Sequence, residues 1–345
     1  MISQIALGLL QKSSGDLTGA QRAQATELIQ KAQEELKRRE YPQAAKYFRS
    51  LSELIPDNAQ AYLGLATALM GMRDLVGADA ALEKAARLAP DDIDISLARA
   101  KVEVSLGKLD KARRTLAKAR AMSPNDTRVE LRAIEVELAA NQTAEALGKA
   151  KDLSRAFPGN PSIHAYLGSL LMSANLLKEA VVELELAHRL DPSQEPPALE
   201  LAEALVRLDR DREALGLLRP LKTGVIQKQQ PSHFYRLLAR AELGSGHLPA
   251  ALESIKKAIQ GQPKDPANWL LLASVQLESE QASEAETALQ EALVLAPTSL
   301  KLHAGALAVY LERQKHEAGR RCFTRLTMEK PGHPIDGDPL GPADW

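Results

Sequence analysis

Three side chains stand out as able to do chemistry: His233, Arg236 and Arg240. Spacings of three and four place them on one face of a helix. Such a face can hold a carboxylate or phosphate through charge-assisted hydrogen bonds. Arg207 is expected close by, while Glu203 and Glu242 are near enough in sequence to neutralise these cations instead. No other stretch has the pattern of an active site. There is no G-x-x-x-x-G-K-[ST], no H-E-x-x-H, no G-x-S-x-G and no dinucleotide-binding glycine fingerprint. The seven histidines are dispersed, and none pairs at metal-ligand spacing. Asp91 and Asp92 read as turn and helix-cap residues. Cys322 is the one cysteine, so no intrachain disulfide forms. It adjoins Phe323 and reads as a small buried hydrophobe rather than a reactive thiol. The expectation is a protein without catalysis, metal or cofactor.

The bulk properties narrow the classes further. The chain has 345 residues, a formal net charge of −1 and 26% charged residues. That balance argues against binding nucleic acid, which needs a net basic field. Apolar residues make up 45%, aromatics only 3%, a composition of helix rather than sheet. No apolar run reaches the roughly 18–20 residues of a membrane span. The opening MISQIALGLL lacks a basic flank and places its apolar residues on one helical face, so it reads as a packing helix. The lone cysteine favours a reducing compartment such as the cytoplasm, without excluding the periplasm.

A ruler runs through the chain. ALEKAARLAPDD (81–92) returns as TLAKARAMSPND (115–126), KAKDLSRAFPGN (149–160) and ELELAHRLDPSQ (183–194). The period is 34 residues, and it sets nine repeats: 25–58, 59–92, 93–126, 127–160, 161–194, 195–228, 232–265, 266–299 and 300–333. Residues 1–24 precede them as a capping helix. A short insertion, 229–231, lies in the longer connection PLKTGVIQKQQPS, and a Pro/Gly-rich acidic tail, 334–345, follows. Position 8 is small in most repeats (Ala32, Ala66, Ala100, Gly168), and so is position 20 (Ala44, Ala78, Ala112, Ala146, Ala180). Position 24 is bulky in most (Phe48, Leu82, Leu116, Leu184). Position 32 is proline in eight of nine, which ends the second helix of each pair.

The pattern resembles the tetratricopeptide repeat. Trp269, Leu272, Ala273, Ala285, Leu289, Ala292 and Pro297 carry its signature best, and Leu167, Gly168, Ala180, Leu184, Ala187 and Pro192 repeat it. The resemblance covers roughly 25–333. It implies an all-α fold: an α-α superhelix, a right-handed solenoid of antiparallel helix pairs with first helices lining a concave groove. In that family, ligands lie along positions 2, 5, 9, 12 and 13 of the first helix. Position 5 reads Leu63, Leu97, Leu131, Leu199 and Leu270, interrupted by Arg236; position 12 reads Met70, Val104, Leu138, Met172 and Val206. Arg207, His233 and Arg240 fall on positions 13, 2 and 9.

The expected role is a protein-interaction scaffold that binds an apolar helix or segment, with an acidic group as a further determinant. The alternative is an assembly module of a bacterial envelope, polysaccharide-export or secretion complex. The chain departs from the family's two-carboxylate clamp, because positions 5 and 9 lack its Lys and Asn set. The apolar rows have a second reading as packing against neighbouring repeats. The tail, with Leu340 and Trp345 among Asp336, Asp338 and Asp344, is a candidate for self-docking or self-association, as is the terminal helix.

Overall fold

A computed structural model describes residues 18–221, 224, 228–299 and 302–307. The expected segment before residue 18, Cys322, the tail and most of the ninth repeat lie outside them. Among the described residues all regular structure is helical. The chain divides into two compact halves at Ala156/Phe157. The first half holds α1 (Gly19–Arg38), α2 (Tyr41–Leu54), α3 (Ala59–Gly71), α4 (Leu75–Leu88), α5 (Ile93–Ser105), α6 (Leu109–Met122), α7 (Thr127–Ala139) and α8 (Thr143–Ala156). The second holds α9 (Pro161–Ser173), α10 (Leu177–Leu190), α11 (Glu195–Val206), α12 (Asp211–Leu221), α13 (Pro231–Gly244), α14 (Leu248–Gly261), α15 (Pro266–Glu278) and α16 (Ala282–Leu295). Odd-numbered helices are the first of each pair and even-numbered ones the second. α1 runs through residue 25, where the repeat count begins.

Local chemistry fixes where each helix starts and stops. Position 34 caps the next first helix. The side chains of Asn58 and Asp92 accept from the backbone N–H of Ala61 and Ile95, and Asp126, Asn160 and Asp265 do the same one residue earlier in the turn. Asp92 thus takes the cap role its sequence context indicates. First helices end at position 15, which is left-handed in each described pair: Arg39, Arg73, Gly107, Asn141, Asn175, Asp209, Gly246 and Glu280. The reversal lets the following N–H reach back to the last carbonyls, as Asp74 N–H does to Leu69. Second helices end one residue before the proline. Ile55, Ala89, Ser123, Asp191, Gln262 and Ala296 have φ between −133° and −144° and ψ between 73° and 88°, outside the helical region that a following proline disfavours.

Each pair is joined by the small-residue rows. Ala44, Ala78, Ala112, Ala146, Ala180, Ala214, Ala251 and Ala285 are all at 0% exposure, so the two helices meet at backbone distance there. Phe48, Leu82, Leu184, Leu218, Ile255 and Leu289 fill the space beside them. The fourth repeat inverts the rule. Its position 8 is the buried Ile134 and its position 24 the small, buried Ala150, so the bulky and small positions exchange.

Buried carboxylates add a polar bolt that the apolar periodicity does not reveal. Position 11 holds Glu103, Glu137 and Glu242, all buried. Each bonds position 23 of its own pair: Thr115 Oγ1 donates to Glu103 at 2.8 Å, Lys149 Nζ to Glu137 at 2.6 Å and Ser254 Oγ to Glu242 at 2.6 Å. Arg113 of the preceding repeat also donates to Glu137, at 2.8 Å. The bolt therefore fixes helix pairing and, at Glu137, repeat stacking. A buried acceptor with donors on both sides stabilises the pairing, whereas the same acceptor left alone would oppose it.

Candidate interaction face

First helices of successive repeats are tied by bonds spanning about one period. In the first half, Gln60 donates to Asp92 at 2.8 Å and Arg128 to Asp94 at 2.6 Å. In the second half, the Ser169 hydroxyl donates to Glu200, and Arg236 donates to Asp265 and Asn268. Asn268 is fully buried, and its amide donates to Ser232 Oγ and to the carbonyl of Gln262. These bonds set the register in which first-helix residues line up.

Position 4 adds a second tie, from ring N–H to the proline carbonyl that ends the preceding repeat. Trp269 Nε1 donates to Pro263 O at 2.8 Å, and the ring Nε2 of His303 and His164 lie 2.8 and 3.1 Å from Pro297 O and Pro158 O. Both histidines are buried in packing positions, and His164 Nδ1 also faces Glu183 at 2.7 Å. Their surroundings are those of fold, not of a reaction centre.

The two apolar rows are neither fully covered nor free. In the first half, Leu63 is buried, and Met70, Leu97, Val104, Leu131 and Leu138 are half-buried. Met70 packs on the cluster around Phe48 and Leu82, and Leu97 and Val104 pack on the cluster around Ala112 and Leu116. In the second half, Leu199 and Val206 are each only 6% exposed, while Met172 and Leu270 are half-buried. The half-buried members thus spend one flank on their neighbours and leave the other at the surface, while Leu63, Leu199 and Val206 serve packing alone.

The four cations singled out in the sequence do not gather into an open basic patch. Arg207 is exposed and donates to Asn175 Oδ1 at 2.6 Å. His233 Nε2 lies 3.7 Å from Glu203 Oε2. Arg236 is held by Asp265. Arg240 lies near Asp211, whose carboxylate packs where a β-carbon on Gly244 would sit. Burial pushes the Asp211 carboxyl above its ordinary value, and Asp209 adds to this; the Arg240 charge opposes it and does not prevail. Glu242, a candidate neutraliser in sequence, accepts from Ser254. The sequence offered no sign of the Ser169–Glu200 bond, because a serine and a glutamate 31 residues apart carry no pattern.

No group of three or more His, Cys, Asp or Glu side chains among the described residues is arranged to hold a metal ion. No described helix is long and apolar enough to cross a membrane.

Models of the tetratricopeptide repeat family match residues 35–102, 69–134, 131–195 and 202–331. The chain is a tetratricopeptide repeat protein. Among curated proteins, none matches it. Among solved structures, this tetratricopeptide repeat protein is similar to the Cut9–Hcn1 hetero-tetramer of the APC/C. The TM-score is 0.55 at 16% identity, over 89% of this chain and 62% of that one. It is also similar to PilW, described as a type IV pilus biogenesis factor. There the TM-score is 0.53 at 13% identity, over 61% of this chain and 96% of that one. At such identities the likeness is one of fold. Tetratricopeptide repeats of this kind support a protein-interaction scaffold.

Proposed function

We propose that the protein is a non-catalytic adaptor that holds a partner peptide or helix across its first-helix faces. One observation carries this reading. Positions 5 and 12 keep apolar side chains half-buried on successive first helices at Leu97, Val104, Leu131 and Leu138 in one half, and at the separate Met172 and Leu270 in the other. A residue needed only for packing gains most when it is fully covered, as the position 20 alanines are. Apolar flanks left at the surface in a row are the surface that an amphipathic partner covers.

The test is selection from a random 15-residue peptide display library on the intact chain. Selected peptides, synthesised with a photo-crosslinker, are expected to be apolar-rich and to attach to odd-numbered helices. Attachment confined to even-numbered helices, or a library that gives no binder, would overturn the reading.

A further inference from the structure

On the second half's first-helix face, cations and anions are treated unequally. Arg207 is bonded to Asn175 and Arg236 to Asp265 and Asn268, and the Arg240 charge is near enough to act on Asp211. The anions are less well served. Glu200 and Glu203 lie one turn apart on α11. Among the described residues, Glu200 has the Ser169 hydroxyl as its donor, and no cation reaches it. Glu203 has only His233, at 3.7 Å.

We infer that this carboxylate pair receives a lysine or arginine side chain from the partner segment, so that the face reads a cation rather than an acid. The inference rests on the adaptor reading and gives its partner a chemistry. Charge complementarity supports it: Arg207 and Arg236 already have acceptors, and among the described residues the half-buried Glu200 has no counter-charge. The neighbouring surface fits the rest of such a side chain. Ala165 and Met172, one turn either side of Ser169 on α9, are half-buried apolar residues, which can cover an aliphatic stem while its charged end meets the pair. A guanidinium fits both carboxylates better than an ammonium, because its donors are arranged as a fork.

The present state of Glu200 agrees with this. Burial pushes its carboxyl above its ordinary value; the Ser169 bond opposes that, and Glu203 reinforces it. A carboxyl raised in the fold binds its proton more tightly folded than unfolded. It favours folding at low pH, and that contribution is lost as pH rises through the folded value. Ionised Glu200 is therefore a cost to the free protein at neutral pH, and a bound cation removes it. Glutamine at this position should leave the protein equally or more stable, so loss of binding in that variant is not loss of fold.

The experiment uses the intact chain and its Glu200→Gln/Glu203→Gln variant, each put through the same 15-residue library. Wild type is expected to enrich peptides with a lysine or arginine at a fixed place in an apolar sequence, and the variant to lose that enrichment. A selected basic peptide should bind the variant about tenfold more weakly. It should also bind wild type more weakly as pH falls through the raised value of Glu200, where that carboxylate takes up its proton. Thermal melting of the variant at or above wild type confirms that it is folded. Apolar binders with no basic preference, or a preference unchanged in the variant, overturn the inference and leave the adaptor reading standing. Enrichment of acidic residues overturns it in favour of the cations. A library that yields no binder overturns both readings.

Discussion

Gly168 lies directly under Leu184: a β-carbon on Gly168 would be 2.5 Å from Leu184 Cγ. Positions 8 and 24 of a repeat therefore compete for one volume. That contact explains why the fourth repeat can invert their sizes, with Ile134 where others are small and Ala150 where others are bulky. It yields a double-mutant prediction. Ile134→Ala should open a cavity and cost about 3 kcal/mol, and Ala150→Leu alone should overpack the same space and cost about 2 kcal/mol. The pair together should recover most of both losses, since it gives the arrangement of the second repeat, Ala66 with Leu82. Urea unfolding of the four proteins measures the coupling. Simple additivity would show that the two side chains do not share a site.

A second prediction concerns position 15. Its left-handed conformation is held by Gly107 and Gly246 at no steric cost, but also by Arg39, Arg73 and Glu280. Arg73→Gly should stabilise the protein by about 0.5–1 kcal/mol, and Gly107→Ala should destabilise it by about 1 kcal/mol. Thermal unfolding checks both signs. A destabilised Arg73→Gly would mean that the arginine side chain contributes more than the strain it imposes.

Third, the ring tie at position 4 is separable from ring packing. Trp269→Phe keeps an aromatic ring but removes the donor to Pro263 O. It should cost about 1–2 kcal/mol, because the carbonyl loses its partner while Trp269 stays only half-buried. Trp269→His should recover part of the loss, since His303 makes the same bond to Pro297. Equal stability of the phenylalanine and histidine variants would assign the whole effect to volume.

These relationships divide the molecule into what its sequence makes legible and what it does not. The alanines of position 20 are legible, because a small residue has a local steric meaning and the period repeats it. The proline stops are legible for the same reason. Glu103, Glu137 and Glu242 are not. Their position holds leucine at Leu69, Leu171 and Leu205, so no row of like residues marks it, and a single glutamate in a helix looks like surface charge. The interaction face was legible as positions and not as electrostatics. His233, Arg236 and Arg240 share a helix face, but His233 and Arg236 are answered from neighbouring repeats, by Glu203 and Asp265, and the Arg240 charge acts on Asp211. Which acceptor comes within reach is set by repeat stacking, which the linear order of charges does not encode. The division at Ala156 falls inside an unbroken 34-residue register and leaves no mark in composition.

The last prediction uses the carboxylate bolt at Glu137. Burial alone would raise its carboxyl; hydrogen bonds from Arg113 and Lys149, with their charges, outweigh burial and hold it below its ordinary value. A carboxyl depressed in the fold favours folding above its unfolded-state pKa, and the contribution is lost as pH falls through the folded value. Glu137→Gln should therefore be less stable than the parent at pH 7, by about 2 kcal/mol given that both cations are partly exposed. The difference should shrink below about pH 4, where an ordinary glutamate protonates, and go on shrinking as pH falls through the depressed folded value. Urea unfolding of both proteins across that range reads it directly. A gap that stays constant with pH would mean that Glu137 acts through shape and neutral hydrogen bonding, and that its charge contributes nothing to how the third and fourth repeats stack.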